Sequence, residues 1–424
     1  MSIYDKEYYL NQSKTFCMYP WIHIHTTPSC RTAPCCIAKS CTDDYALSPL
    51  DYDLMGLVNS KGQRDLRLDM LKGEPNPECE NCYKHEAQGI ESSRQSVNKH
   101  YGQFFEEAIS YTQEDGGLSE FKMRYFDIRF NNICNFKCRT CQSHYSSQWE
   151  QEDLKYKKHG AKVLPKNDNK KLLEDIIKQI PHMYGAYFAG GEPLITEQHY
   201  ILLEEMIKQG RTDILLLYNT NLSNLKFKDK DLIGLWKHFK PKINLYVSID
   251  HVRERAEYIR HGTDWGVVES NFMEVKKQEN INCCINTVLS VFNILTIDKF
   301  YEYLVSKNMY HPTCPTYSLY NMSTPTHLSA HILPDELKAK AKISLENGQQ
   351  LLKDNNFTPE QVLELVNANK WIYSQNTWEK EKYNFITEIT RLDRIRGESF
   401  IQVFPELAPL VYNIRTNKRQ LPVV

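Results

Sequence analysis

Residues 129–143 read RFNNICNFKCRTCQS, with cysteines at positions 134, 138 and 141. The stretch continues RYFDIRFNN (124–132), whose alternation predicts a strand, so the cysteines open the loop at that strand's C-terminal end. A closed structural metal site takes four protein ligands, and this motif offers three thiols. Two completions stay open. One is a zinc site with His144 as fourth ligand. The other is a cubane cluster on three thiolates, whose remaining iron is free to bind a substrate or cofactor.

Outward from the motif, strand and helix patterns alternate. Strands are predicted at GAYFAGGEPL (185–194), DILLLYNTNL (213–222), INLYVSID (243–250), NCCINTVLS (282–290) and TYSLYNM (316–322). Helical spacing falls between them at KKLLEDIIKQI (170–180), EQHYILLEEMIKQG (197–210), KDLIGLWKHF (230–239), GVVESNFMEVKKQ (266–278) and IDKFYEYLVSKN (297–308). Six strands with interposed helices predict a parallel α/β architecture, in which function gathers after the strands' C-terminal ends. The cysteines follow strand one, Gly190-Gly191-Glu192 strand two and Asn219-Thr220-Asn221 strand three, while Ser248 and Asp250 close strand four. The two glycines allow close backbone approach and leave polar groups free for a ligand's ammonium group.

Beyond residue 330, LPDELKAKAKISLENGQQLLK, TPEQVLELVNANKW and WEKEKYNFITEITRLDRIRG predict a helical tail with polar faces. The chain reads as three segments: 1–119, rich in cysteine; 120–325, the α/β core; and 326–424, the helical extension. There are no internal repeats or low-complexity segments. Lys155, Lys157, Lys158, Lys162, Lys166, Lys170 and Lys171 read as a solvated loop, interleaved with Glu152, Asp153 and Asp168.

Lys plus Arg (52) balance Asp plus Glu (53) in the 424 residues, so bulk charge directs the chain neither to nucleic acid nor to an acidic membrane. The N-terminus lacks the apolar region of a signal peptide, and no apolar run reaches bilayer length. A cytoplasmic protein is expected. In a reducing compartment clustered cysteines are metal ligands or catalytic groups more often than disulfides, and seven of the thirteen lie in the first 82 residues. Cys283, Cys284 and Cys314 read as ordinary buried thiols.

Cys79 and Cys82 form a C-x2-C pair, open by itself to zinc, iron–sulfur or redox chemistry. Cys17 and one of Cys35 and Cys36 bring the count to the four thiolates of a closed site, zinc or cluster. Cys30 and Cys41 are surplus. His23, His25 and His85 lie nearby and read as packing or hydrogen-bonding groups.

With C-x3-C-x2-C after one strand and Gly-Gly-Glu after the next, the chain resembles the radical S-adenosylmethionine (SAM) superfamily over about residues 120–325. The resemblance implies a partial (β/α)6 barrel in which Cys134, Cys138 and Cys141 hold a [4Fe–4S] cluster and SAM itself takes the open iron. It further implies that Gly190, Gly191 and Glu192 receive the SAM amino group. Ser248 and Asp250 would contact ribose and carboxylate, and Arg260 in YIRHG would pair with the carboxylate. Asn219 and Asn221 stand where many members carry Thr-Asn-Gly. Thr140 departs from the aromatic residue common before the third cysteine.

The N-terminal pattern CMYPW…PCC…GLVNS…LR…MLKGE…CENC is similar to the twitch, or SPASM, module, here placed before the barrel. The tail LDRIRGESFIQVFPEL fits the same family. The module implies one auxiliary [4Fe–4S] cluster on Cys17, Cys35, Cys79 and Cys82, since Gln88 stands where a further ligand is expected. Cys35 is preferred over Cys36 because Cys30, five residues earlier, occupies the usual glycine position. The expected function is radical SAM hydrogen abstraction from a peptide or protein, with an external electron donor such as flavodoxin or ferredoxin. A dehydrogenase or epimerase of a sugar, nucleoside or other small molecule is the alternative, and a zinc-stabilised, non-catalytic binding module is the alternative of another class.

Overall fold

The structure is a computed structural model that describes residues 4–39, 43–156, 170–241, 243–310, 312 and 318–415. Cys41, Cys314, Asp168 and the lysines at 157, 158, 162 and 166 lie outside the described residues. Among the described residues an eight-stranded, mostly parallel sheet is formed by β1 (His25–Thr26), β2 (Thr32–Ala33), β3 (Tyr125–Ile128), β4 (Gly185–Phe188), β5 (Leu215–Thr220), β6 (Ile243–Ser248), β7 (Ile281–Leu289) and β8 (Ser318–Asn321). The six strands from β3 to β8 are those predicted from the sequence. Packing gathers the chain into two compact units. The first holds residues 1–134, 143–219 and 226–243; the second holds 135–142, 220–225 and 244–424.

In the first unit the strand order is β2–β1–β3–β4–β5. Tyr125 lies opposite Gly185, and Gly185 opposite Leu215, in parallel register. The apolar residues of these strands and of helix Glu197–Lys208 make the core, with Phe126, Ala186, Leu216, Leu202, Leu203 and Met206 buried. At its centre Phe188 stacks on Tyr218, whose hydroxyl accepts from Trp236 Nε1 (3.1 Å) and meets His199 Nε2 at 3.0 Å. Such pairing is what a dry interior demands of its polar atoms. The helix expected over 230–239 is regular only over Leu232–Trp236; its last turn tightens to i→i−3 bonds at His238 and Phe239.

Two strands were not anticipated. β1 runs parallel to β3, His25 opposite Asp127, and pairs antiparallel with β2. Two-residue strands carry too little alternation to register in a sequence pattern.

In the second unit β6, β7 and β8 lie in that order, β8 parallel to β7 with Ser318 opposite Asn286. Leu245, Val247, Ile285 and Leu289 are buried, helix Trp265–Lys276 packs against β7, and helix Ile297–Ser306 follows it in the chain. The tail forms three helices, Asp335–Asp354, Pro359–Ile372 and Trp378–Arg396. Thr358 and Gln361 build a capping box at the start of the second, and Gly397, at φ +67°, ends the third in the left-handed conformation glycine supplies. Ser344 Oγ donates to Asp298 Oδ1 (2.7 Å), tying the first tail helix to Ile297–Ser306. Among the described residues no helix is long and apolar enough to cross a membrane.

Candidate functional site

The cysteine motif is divided between the units: Cys134 belongs to the first, Cys138 and Cys141 to the second. In the first unit, the backbone just before Cys134 is built against the Gly-Gly-Glu turn. Glu192 N–H donates to the Ile133 carbonyl (2.7 Å), and a Cβ at Gly191 would stand 2.1 Å from that same oxygen. Position 191 therefore admits only glycine. Gly190, at φ +134°, has a backbone that side chains rarely adopt. Glu192 is buried, and its Oε1 accepts from Leu194 N–H (3.0 Å), capping the short turn that follows. Cys134 N–H donates to Ser147 Oγ, and Asn132 Nδ2 bridges to the Ser143 carbonyl and Glu150. Asn219 lies half-buried on β5, in its penultimate position.

In the second unit, residues 135–142 are laid along residues 259–262. Lys137 N–H donates to His261 O (2.9 Å) and Arg139 N–H to Ile259 O (2.7 Å). Gly262 is confined by the Asn135 carbonyl, 2.9 Å from where its Cβ would be. Asn221 Nδ2 donates to Asn135 Oδ1, and Asn135 Nδ2 to Ser223 Oγ. This alignment brings Arg260 Nη1 to 3.8 Å from Cys138 Sγ. Arg260 Nε faces Asp250 Oδ2 at 2.9 Å without hydrogen-bond alignment, while Asp250 Oδ1 accepts from Val288 N–H (2.8 Å). Burial pushes the Cys138 thiol up and Arg260 opposes the shift. Burial, then proximity to Cys138, pushes Cys141 up to about 12. Burial works against the charge on Arg260, and Asp250 more than offsets it. Ser248 and Thr140 are half-buried.

The N-terminal cysteines assemble within the first unit. Cys17, Cys35, Cys79 and Cys82 line one cavity with Tyr19, Met70 and Arg94; about 20 Å³ of it is open to water, room for roughly one molecule. Burial and then Cys79 push Cys17 far up, and burial and then Cys36 do the same to Cys35. Cys36 does not line this cavity. It lies by Asp127 and Arg129, and burial followed by Asp127 raises it to about 11. Cys30 is buried at φ +58°, the left-handed backbone glycine ordinarily fills. His85 and Gln88 are exposed on or just past helix Glu80–Ala87.

Among the described residues no three His, Cys, Asp or Glu side chains stand together in a metal-holding arrangement. The donor chemistry nevertheless fits an iron–sulfur group: the cavity gathers soft thiols, and binding would remove the protons that burial retains on them.

Several participants escaped the sequence reading. Arg94 reaches Glu86 with two hydrogen bonds (2.9 and 2.6 Å) and the carbonyls of Ser13 and Phe16, on the approach to Cys17. Asp127 is another: it forms a buried pair at 2.9 Å with His25, which the sequence reads as a packing or hydrogen-bonding group without naming its partner. Burial opposes its charge, but His25 and Arg129 hold Asp127 down at about 2. Both groupings join residues about 80 to 100 positions apart, which no local pattern encodes.

No protein-family profile matches the chain, and no curated protein matches it significantly. Solved structures similar to it include histidine-tagged anSMEcpe with bound AdoMet, at 17% identity and TM-score 0.35 over 54% of this chain and 61% of that one. Another is TYW1 with a lysine–pyruvate adduct bound, at 14% identity and TM-score 0.30 over 54% of this chain and 72% of that one. A third is Streptococcus suis SuiB bound to precursor peptide SuiA, at 13% identity and TM-score 0.32 over 57% and 52%. The chain thus spans under two thirds of the first and about half of the third. Likenesses so distant and partial leave the reading of the site to its own residues.

Proposed function

We propose that the chain is a radical SAM enzyme with an N-terminal twitch-like segment (1–119), a partial-barrel core (120–325) and a helical extension (326–424). The observation that carries this reading is the Gly-Gly-Glu turn packed onto the backbone that leads into Cys134, with no space for a side chain at Gly191. Such a turn presents backbone groups beside the segment that leads into Cys134, and carries a buried carboxylate, as the amino end of a chelating cofactor requires.

In this assignment Cys134, Cys138 and Cys141 hold a [4Fe–4S] cluster, and Cys17, Cys35, Cys79 and Cys82 an auxiliary one. With SAM bound, the first cluster would pass one electron from the external donor to the sulfonium, and cleavage of its C–S bond would give methionine and a 5′-deoxyadenosyl radical for hydrogen abstraction. Gly190, Gly191 and Glu192 bind the SAM amino group and Arg260 its carboxylate. Ser248 and Asp250 face the ribose and carboxylate, and Asn219 borders the cofactor. Asp250 has a further task, since its carboxylate stands 2.9 Å from the Arg260 guanidinium and orients it. A peptide or protein is the favoured substrate on the twitch-like segment, and an external flavodoxin or ferredoxin would deliver electrons. The cavity of four thiols also accommodates the zinc alternative, because the same donors hold either metal.

Anaerobic reconstitution separates these readings. Two cubanes give a brown protein with about eight irons per chain, whereas zinc thiolates are colourless. Replacing Cys134, Cys138 and Cys141 by alanine should remove about half of that iron and end 5′-deoxyadenosine formation by dithionite-reduced protein. Release of 5′-deoxyadenosine by the triple variant would overturn the assignment.

A further inference from the structure

The tail motif LDRIRGESFIQVFPEL has no place in the site as assigned, yet its charged and apolar residues converge on the cysteine loop. Arg139 lies between Cys138 and Cys141, and its side chain is fully buried. Its Nη2 donates to Asp393 Oδ1 (2.8 Å) and Glu398 Oε2 (2.5 Å), its Nε donates to the Tyr258 carbonyl (3.2 Å), and its guanidinium stacks 3.7 Å from the centre of the Tyr258 ring. The acceptors are themselves fixed. Asp393 also takes the Tyr258 hydroxyl (2.7 Å) and the Phe400 N–H (2.7 Å), and Glu398 meets His261 Nδ1 at 2.6 Å. Gly397 turns the chain so that Asp393 and Glu398, on either side of the helix end, reach one guanidinium. Phe400 and Phe404 pack on Tyr258, and Arg255 reaches Glu406 through both terminal nitrogens.

We propose that the segment Asp393–Glu406 is a clamp for the cysteine loop, with Arg139 as the positioning residue through which it acts. The loop makes two backbone bonds to residues 259–261, and both flank this guanidinium. Nη2 directs its two in-plane hydrogens at the two carboxylates while Nε in the same plane meets the Tyr258 carbonyl, and a planar guanidinium satisfies all three in one orientation. That orientation fixes the backbone between Cys138 and Cys141, and with it the direction of both thiols. The same ladder seats Arg260, whose guanidinium approaches Cys138, so one clamp sets thiol and cation together. Arg139 acts through the loop.

The proposal rests on the radical SAM reading for what the loop carries, but the clamp is testable in the metal-free chain. Hydrogen exchange of the 135–142 peptide is measured in wild type, Arg139→Met, Arg139→Lys and Glu398→Gln, with helix Glu80–Ala87 as internal reference. Arg139→Met should raise exchange in 135–142 by about tenfold or more while the reference stays unchanged, since it removes the cation that ties the loop to two half-buried carboxylates. Glu398→Gln, which keeps the shape and one acceptor, should give a smaller rise, and Arg139→Lys should recover part of the protection. Alkylation of Cys138 and Cys141 in the metal-free chain should follow the same order. Unchanged exchange and alkylation in folded Arg139→Met overturn the clamp. If that variant fails to fold, Glu398→Gln decides: unchanged protection of 135–142 overturns it equally. Iron retention supplies the separate arm. Faster exchange in a chain whose wild type never binds iron leaves the clamp standing and refutes the cluster reading instead.

Discussion

Each cysteine set is braced by a buried arginine, and the two arginines do opposite things. Arg94 borders the cavity of Cys17, Cys35, Cys79 and Cys82, where its charge counters the upward push of burial on Cys17, Cys79 and Cys82. Its acceptors, Glu86 and the carbonyls of Ser13 and Phe16, lie on the chain segments that bring in the cysteines. Arg139 turns away from the sulfurs toward Asp393 and Glu398, and a different cation, Arg260, faces Cys138. On the proposed assignment, a site closed by four thiols would let one arginine both hold the scaffold and neutralise the charge, whereas a site of three thiols with an open position would divide holding from facing, so that the facing cation could meet a ligand without loosening the loop. The predictions below test that division, in order of expected effect.

The largest effect should come from Arg94→Met. It leaves Glu86 without its ion-pair partner and the Ser13 carbonyl without a donor, while the Phe16 carbonyl keeps only Asn98 Nδ2, a change of the kind that costs about 3–5 kcal/mol. Urea unfolding of the metal-free variant should register most of that loss. A loss below about 1 kcal/mol would mean that water replaces the guanidinium and that the brace is incidental.

Next come the cysteines themselves. Cys79→Ala with Cys82→Ala should reduce iron from about eight to about four per chain yet retain uncoupled SAM cleavage, since only the barrel motif is assigned to SAM. Substrate turnover should fall much further. Circular dichroism must first show that the variant is folded, because lost ligands can unfold a small metal-binding segment. Wild-type turnover by a folded variant would make these four thiols structural and zinc their better occupant.

How far these regions were legible in the sequence follows from the same contrast. The six strands from β3 to β8 were readable because each is a short apolar run of period two or a buried block, closed by glycine, asparagine, aspartate or, at β7, serine. The three-cysteine motif and the Gly-Gly-Glu turn were readable because their residues are contiguous. Arg139 and its acceptors were not: Asp393 and Glu398 lie 254 and 259 positions away, and an isolated arginine in a polar loop has no periodicity to betray it. One signal was present. An aspartate, a helix-ending glycine and a glutamate within LDRIRGES placed two carboxylates around one turn, a pattern that calls for a cation. Cys30 reads from the sequence as a surplus thiol at a position usually held by glycine, and its left-handed backbone, φ +58°, is the conformation glycine ordinarily supplies.

A more moderate effect is expected at the cation that faces sulfur. Arg260→Ala should weaken SAM binding by about 1.5–3 kcal/mol, the worth of a charge-assisted hydrogen bond. Protection of residues 135–142 should change much less than in Arg139→Met, if holding and facing are separate. Calorimetric titration with SAM, paired with exchange on the same samples, reads both. Unchanged affinity would return Arg260 to a structural partner of Asp250.

The smallest effect is a difference in acid response between the two regions. His23 sits in the arm that carries Cys17, its ring 4.7 Å from that of Tyr19, and burial lowers its pKa to about 4 from an ordinary 6.5. Asp127 pulls the other way, His25 and Arg129 reinforce the lowering, and Nδ1 keeps a contact with the Tyr125 carbonyl. Between pH 6.5 and 4 the unfolded chain therefore binds a proton at this residue that the folded chain does not. Stability is complete above 6.5 and falls as pH drops through that window, by at most about 2 kcal/mol near pH 5. Glu398 in the clamp behaves as a carboxylate held low: burial opposes its charge, but His261 and Arg139 outweigh it. Its contribution is complete above 4.5 and is lost only below that. Mild acid should thus loosen the 16–24 arm while residues 135–142 stay protected. Exchange at pH 7 and pH 5, corrected for its intrinsic pH dependence, checks this, and His23→Phe should remove the difference. Equal loosening of both regions at pH 5 would show that a shared group, rather than His23, governs the response.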